Sequence, residues 1–573
     1  MKYRLHPSWL MVLSGLAIFL WAGLSWGIEV LWLRGASLGH GLFSTQDFPA
    51  LLLGGATLAG LGLFTGRARV TYWTGGLDWR LALRGSVVVG LVLAFAVIAW
   101  AGRYWLFGDY SLSRDEQVAE FGAAALRHGG IGWPIPAEWL DYRRAIMPEF
   151  FSPFGADKVW TAAYLPLNSA VRALFGWLGD GNVAGPVFLI IGLLSLWRVA
   201  LRLFPDRPDA VAVSVLMALS STQLLVTGMT PYAMTGHFAL NMLWLALVLR
   251  DDKAGHVGAA LVALILTGLH QYHYPLPFLL PFLLWFALGR RWGPLVFHSA
   301  ILVIAVVIWA KLWPTFLMDL YGPAADVRPS AGVADKMDSL FDRVLAKWHP
   351  LLHLSRFVAW NNMLLIPLAL IALWRMDWRD ALTGRTPLLP LGLGAFGMAV
   401  LAMDQGYGWG YRYLHGFIGS FALLAGYGWA ALRRPGGETR APVLLASLLV
   451  ALMTGSLLMA RAHEYVAPYA ASHRAIMTAD ADVVLVDTRG GRFVTDVVRG
   501  HDGAPLGRPV VMNIGMLSAE ELDRLCDRHS IAIFDKSLFL PIGIAGVAWD
   551  NEATAALRAQ MEARGCGQVM ALR

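Results

Sequence analysis

From Trp9 to about residue 460, long apolar runs alternate with short polar breaks that carry arginine. A run of about eighteen or more apolar residues, wound as a helix, crosses the roughly 30 Å of hydrocarbon in a bilayer. The pattern predicts about thirteen membrane helices. They fall near 10–32, 47–65, 83–102, 184–203, 209–227, 232–249, 256–273, 275–289, 295–315, 357–374, 387–403, 414–432 and 441–460. The first run, Trp9 to Trp32, shows no small-residue cleavage site followed by a soluble domain, so it reads as a retained span.

Two polar stretches between runs are long, about 103–183 and 316–356. Loops of that length are usually functional or disordered. In the first, Val118, Phe121 and Ala125 recur with helical spacing over Gln117 to Arg127, which predicts short helices lying on the membrane face. After residue 460 the pattern changes. Asp482–Asp487, Pro509–Ile514 and Ile531–Asp535 have the form of buried strands, and Ser518 to Arg528 has that of a helix with a Ser cap and a Glu three residues on. Strands alternating with helices suggest a small layered sheet. No Gly-rich nucleotide fingerprint occurs there, so the tail is assigned no chemistry. The fold class is therefore a polytopic α-helical membrane protein with a small C-terminal α/β domain.

Composition agrees with that class. Hydrophobic residues make up 57% and charged residues 15%, against about 25% charged in soluble domains, and mean hydropathy is +0.54. The net charge of +7 does not point to nucleic acid, because its arginines sit in short loops between spans. With the N-terminus inside, the inside loops hold Arg67, Arg69, Arg80 and Arg84; Arg202 and Arg207; Arg250 and Lys253; Arg290 and Arg291; Arg375, Arg379 and Arg385; and Arg433, Arg434 and Arg440, while the short outside loops hold only Arg34 and Arg412. That asymmetry predicts a cytoplasmic N-terminus and, after an odd number of spans, a periplasmic tail at 461–573. Trp9, Trp32, Trp100, Trp105, Trp313 and Trp374 fall near span ends, as an aromatic belt does. The two cysteines, Cys526 and Cys566, both lie in the tail. They could pair in an oxidising compartment or stay free thiols.

The polar groups that could carry chemistry gather on the outside loops. Asp115 and Glu116 follow a span and open a helix, where two carboxylates could act as a general base and a hydrogen-bond or metal anchor. Helix N-termini also attract Asp and Glu through the dipole alone. Tyr142, Arg143 and Arg144, then Asp157, Lys158, Trp160, Tyr164 and Pro166, set cations beside aromatics, a pattern that could hold a lipid phosphate or simply face water. The turn His270-Gln271-Tyr272-His273-Tyr274 could bind a divalent metal or a phosphate, or be plain belt residues. Arg412 opens an apolar run, where a charge is costly without a partner or ligand, and Gly406, Gly408 and Gly410 let the backbone pass closely. It is the best single candidate for a phosphate anchor. The second long loop, with Asp319, Tyr321, Arg328, Lys336, Lys347, His349, His353 and Arg356, could close as a lid.

Three of these segments carry a resemblance. Asp115 through Phe121 (DEQVAEF, which includes Glu120), followed by Gly129-Gly130, resembles the opening of the first periplasmic loop of GT-C glycosyltransferases. The pattern is similar to that of the aminoarabinose transferase of lipid A, the protein O-mannosyltransferases and the RgtA/B/C/D-like enzymes. Lys158 through Pro166 (KVWTAAYLP) resembles their next element, and Gly410-Tyr411-Arg412-Tyr413-Leu414 their late Arg-Tyr motif. The resemblance covers about residues 83–435. It departs from the family in two extra N-terminal spans and in Lys158-Val159-Trp160, which stands where the family has Lys-Pro-Pro. It implies a GT-C-like core at 83–460, two added helices within 1–82 and an accessory tail. It also implies a polyprenyl-phosphate sugar donor, a lipid, glycan or protein acceptor at the periplasmic face, Asp115 as base and Glu116 as its support. Arg412 would hold the donor phosphate with Lys158, Arg143 or Tyr413. His270, His273 and Glu120 would be substrate or metal residues. The competing class is a transporter or flippase, which tends to place charges and broken helices at mid-membrane; here the polar clusters sit on one face.

Overall fold

The computed structural model describes residues 7–28, 30, 38–67, 84–146, 151–155, 158–323, 349–401, 408–432, 440–491, 493–500, 503–544 and 552–571. Six helical stretches among them are long and apolar enough to cross a membrane: Ser8–Ile28, Leu38–Thr65, Gly85–Trp105, Gly181–Leu203, Trp292–Tyr321 and Ala441–Met477. Pro208–Leu219 and Thr222–Gly228 make a further span bent by 49°. The shorter apolar helices Met234–Val248, Lys253–Thr267, Leu276–Leu288, Leu365–Trp374 and Leu388–Leu401, with Ile418–Ala431, complete the bundle. Each predicted span thus falls on helix. Small residues let these helices approach without lost dispersion contact. A Cβ on Gly428 would lie 1.9 Å from the Leu368 carbonyl oxygen, so only glycine fits where those two helices cross.

Two predicted spans differ in shape. The run 357–374 is not one helix: His349–Ala359 stops and Leu365–Trp374 begins after a break. Buried side chains satisfy the freed polar groups there. Asn361 donates to Gln223 Oε1 at 3.0 Å, and the Gln223 N–H donates to the Trp360 carbonyl at 2.9 Å. The last span does not stop at 460. Arg440–Met477 is one helix of 38 residues, about 57 Å at 1.5 Å per residue, so its final turns stand well beyond a 30 Å hydrocarbon layer.

The first long loop forms more than surface helices. The helix Arg114–Arg127 packs against a three-stranded antiparallel sheet of order β1-β3-β2, with β1 at Gly132–Pro134, β2 at Phe151–Phe154 and β3 at Val159–Ala162, and against the helix Leu167–Trp177. The tail holds the predicted strands as a parallel sheet of order β5-β4-β6-β7. Its strands are β4 Val483–Val486, β5 Val510–Asn513, β6 Ile531–Phe534 and an edge strand, β7 Gln568–Val569, that the sequence pattern does not mark. Ser518 caps Ala519–Arg528 through the expected capping box with Glu521. Cys526 and Cys566 are joined as a disulfide.

Loop and tail share one hydrophobic core, in which Val118, Phe121, Trp139 and Trp160 meet Val483, Leu485, Met512 and Leu522. The N-terminal helices are tied in as well. The fully buried pair Asp47 and Arg356 is 2.8 Å apart, and Arg356 also donates to the Gly408 carbonyl at 2.6 Å and the Gly410 carbonyl at 3.3 Å. Most of the lid expected in the second long loop, residues 324–348, lies outside the described residues.

Candidate functional site

Asp115 stands in the first turn of Arg114–Arg127. Ser113 and Glu116 form a capping box there. The Glu116 carboxylate accepts the Ser113 N–H at 3.4 Å and is itself buried, so it fixes the helix start beneath Asp115. Two groups from distant parts of the chain donate to the Asp115 carboxylate, the Tyr164 hydroxyl and the Arg412 guanidinium. Tyr164 is brought in by a backbone zipper in which the Leu165 N–H donates to the His270 carbonyl at 2.8 Å and the Leu167 N–H to that of Gly268 at 3.1 Å. Arg412 opens a short 3₁₀ turn, Arg412–Phe417. Before it, Gly410 has φ +74° and lies so close to Gln223 that a Cβ would meet its side chain at 2.6 Å.

Aromatic rings surround the guanidinium. Its Cζ lies 4.9 Å from the Tyr413 ring centre and 5.3 Å from that of Tyr232, and its Nη2 donates to the Tyr413 hydroxyl at 2.9 Å. The Tyr232 hydroxyl meets Ser113 Oγ at 2.7 Å, and Tyr274 stacks on Tyr413 with ring centres 5.3 Å apart. His270 leans on Tyr164 at 3.9 Å and on Tyr274 at 5.0 Å. Arg412 Nε has no partner among the described residues, and neither has His270 Nδ1.

Burial alone would raise the Asp115 carboxyl, but the adjacent Arg412, the Tyr164 hydroxyl and His270 outweigh it and hold it below the usual carboxylate range. Burial lifts Glu116 to about 7 against the opposing pull of Arg103. Burial, with the neighbouring His237, drives His270 down to about 3, so it is neutral at pH 7. The pair therefore combines an ionised carboxylate with a fixed cation at one end of the helix bundle.

That arrangement of helices, loop and tail can be compared with known structures. A crystal structure of ArnT from Cupriavidus metallidurans bound to undecaprenyl phosphate superposes with a TM-score of 0.52 at 13% identity, covering 82% of this chain and 97% of that one.

The chain has the fold of ArnT.

The apo ArnT structure from the same organism aligns at 12% identity and a TM-score of 0.48, covering 79% of this chain and 94% of that one. No family model matches the sequence, and no curated protein matches it significantly. The chain combines this ArnT-like fold with the polytopic helices and the small C-terminal sheet that the sequence predicts.

Within this ArnT-like fold, Asp115, Glu116, His270, Arg412 and Tyr413 come together, and four expected neighbours do not. Lys158 is exposed at the start of β3 and touches neither Asp115 nor Arg412. Its strand faces the loop core, not the helix bundle. Arg143 donates to the carbonyl of Leu140, one turn back, at 2.9 Å. Glu120 is turned away from the histidines by the helical repeat; it accepts from Arg103 at 2.9 Å and from Ser111 Oγ at 2.5 Å. His273 is exposed and stacks on Tyr274 at 5.2 Å. Among the described residues no three His, Cys, Asp or Glu side chains converge to hold a metal ion. Sequence reasoning misses Tyr232, whose only signal is a short polar break, Thr230-Pro231-Tyr232, between two apolar runs.

Proposed function

We propose that the chain is an integral membrane glycosyltransferase that moves a sugar from a polyprenyl-phosphate-linked donor to a hydroxyl of an envelope acceptor. The observation that carries this reading is the contact between ionised Asp115 and Arg412, assembled from four separate segments where the membrane helices end. The reaction needs two opposite charges at that position. A base must receive the acceptor hydroxyl proton as the acceptor oxygen forms its bond to the sugar anomeric carbon. A cation must take up the charge on the phosphate as its bond to that carbon breaks. Asp115 fills the first role. Arg412 fills the second with its unpartnered Nε, while one Nη holds Asp115 and the other the Tyr413 hydroxyl. Glu116 holds the helix start, and neutral His270 offers one ring nitrogen to sugar or phosphate.

The ArnT structure with undecaprenyl phosphate supports a polyprenyl-phosphate carrier. The arginine bias of the loops supports a bacterial inner membrane with the N-terminus in the cytoplasm. The Cys526–Cys566 disulfide supports a tail in the oxidising periplasm. In this reading 83–460 is the transfer core, with two helices added before it and 461–573 on the catalytic side. The test is mass spectrometry of envelope glycolipids and glycoproteins in a deletion strain carrying wild-type or Asp115→Asn chain. One sugar addition should return with the wild type alone. Restoration by the variant, or substrate movement into sealed vesicles with no glycan change, would replace this reading with transport.

A further inference from the structure

A cavity of about 650 Å³ lies behind the helix Arg114–Arg127, on the side turned away from Asp115 and bounded on one side by the tail. That volume suits a sugar-sized or larger ligand. Among the described residues five arginines and three carboxylates line it, an excess of two positive charges. The carboxylates are already committed. Glu120 is paired with Arg103 at 2.9 Å and lies 3.9 Å from Arg499; Asp109 takes Arg103 at 2.8 Å; Asp180 accepts from the Trp100 indole at 2.7 Å.

Three lining guanidiniums remain without a carboxylate partner among the described residues: Arg127, Arg172 and Arg474. Arg172 is 4% exposed, uses one nitrogen on the Thr230 carbonyl at 3.1 Å and leaves Nε without a partner. Tyr110 also lines the wall, and its buried hydroxyl has no partner among the described residues either. Unpaired buried donors of this kind are costly unless a ligand accepts from them. The ligand they fit is an anion with several acceptor oxygens, which arginine meets better than any other side chain. The cavity's height narrows the class further. Its wall includes Tyr104 in the last turn of Gly85–Trp105, beside the exposed Trp100 and Trp105, so it opens at the level of a membrane headgroup region.

We propose that this cavity is a second binding site, separate from the Asp115–Arg412 pair, that receives a phosphate-bearing headgroup of a saccharide or lipid. It stands on the cavity's own arginines and goes beyond the transfer reading.

The test uses the full chain in nanodiscs of uncharged phosphatidylcholine. N-acetylglucosamine 1-phosphate is titrated by calorimetry with N-acetylglucosamine as control, and a parallel arm follows retention of phosphatidylglycerol by native mass spectrometry. At least one phosphate probe binds, and the arm that responds identifies the source. Binding falls about tenfold or more in Arg127→Gln/Arg474→Gln, as expected when charge-assisted hydrogen bonds are removed, and severalfold in Tyr110→Phe. All variants melt as wild type does, since Arg127 and Arg474 are exposed and the phenyl ring keeps its volume. The proposal fails if neither probe binds, if the uncharged sugar binds equally well, or if binding is lost in Arg412→Ala but kept in the cavity variants. That last result would leave the transfer reading standing.

Discussion

Asp115→Asn separates the two halves of the proposed mechanism. The side chain keeps its size but loses its charge, and one oxygen that accepted from Tyr164 or Arg412 becomes an N–H₂ facing a donor. Removing one partner of a fully buried pair costs about 3–5 kcal/mol. Asp115 and Arg412 are 17% and 14% exposed, so water recovers part of that cost, and the figure is an upper bound on the loss of stability. The effect on chemistry is separate. Loss of a positioned base lowers kcat by about 10²–10⁴, which is roughly 3–5 kcal/mol of activation free energy. The donor KM should stay the same or fall, because Arg412 no longer shares its charge with a carboxylate. Arg412→Ala should do the reverse and raise the donor KM by about 10–100-fold through a lost charged hydrogen bond. The assay is steady-state transfer from a labelled polyprenyl-phosphate sugar by purified protein, normalised to folded protein. A carboxyl held below the ordinary range also makes activity flat through neutral pH, with a loss only in acid. A kcat for Asp115→Asn within about threefold of wild type would refute the assignment. A rate that climbs through pH 7 would move the base to Glu116, which titrates near there.

Glu116→Gln keeps the cap and removes a buried acid. The folded state holds the Glu116 proton up to about pH 7 whereas the unfolded chain releases it near 4.5, so this residue's contribution to stability falls across that window, by about 3 kcal/mol in total. Thermal unfolding at pH 5 and pH 8 should show a smaller drop in the variant, and an identical drop in both would contradict the burial argument. Cys526→Ser opens a 40-residue loop and should lower tail stability by up to roughly 4 kcal/mol in the chain-entropy model; proteolysis of the tail that is no faster than in wild type would count against it. Asp47→Asn leaves Arg356 buried beside a neutral amide, at about 3–5 kcal/mol, and adding Arg356→Met should recover much of that. Heat inactivation of the single and double variants measures it, and a double variant weaker than the single one would show that Arg356 acts mainly through Gly408 and Gly410.

The helix bundle was legible because lipid leaves only one local solution for a backbone: each crossing must satisfy its own hydrogen bonds, so apolar run length marks it. The tail strands were legible for a related reason, since β4 is buried on both faces and reads as an unbroken apolar run. The break after Ala359 was hidden because Asn361 and Asn362 are satisfied by Ser221, Gln223 and Ser220 from a helix pair about 140 residues away. The antiparallel sheet of the first loop was hidden too. Its strands are three or four residues long, and two of them contain proline. At the site, Arg412 was readable from charge placed where charge is expensive, and Asp115 from a carboxylate pair that follows a span and opens a helix. Lys158 and Arg143 carry the same chemistry, but nothing local says which side of a loop faces the bundle. Tyr164 lay in a named motif, yet its approach to Asp115 depends on pairing with the 268–270 backbone.

The contact between tail and loop also bears on how the protein is made. Asp496 lies 3.2 Å from Arg114, accepts the Arg114 N–H, and is 382 residues further along the chain. At ordinary synthesis rates of about 5–20 residues per second, that separation is roughly 20–80 s. Until those residues emerge, Val118 and Phe121 lack half of their core, and the turn bearing Asp115 lacks its outer clasp. A chain still on the ribosome therefore lacks the tail's share of that core and its hold on the Arg114 turn, and a chain cut short anywhere before the tail stays so.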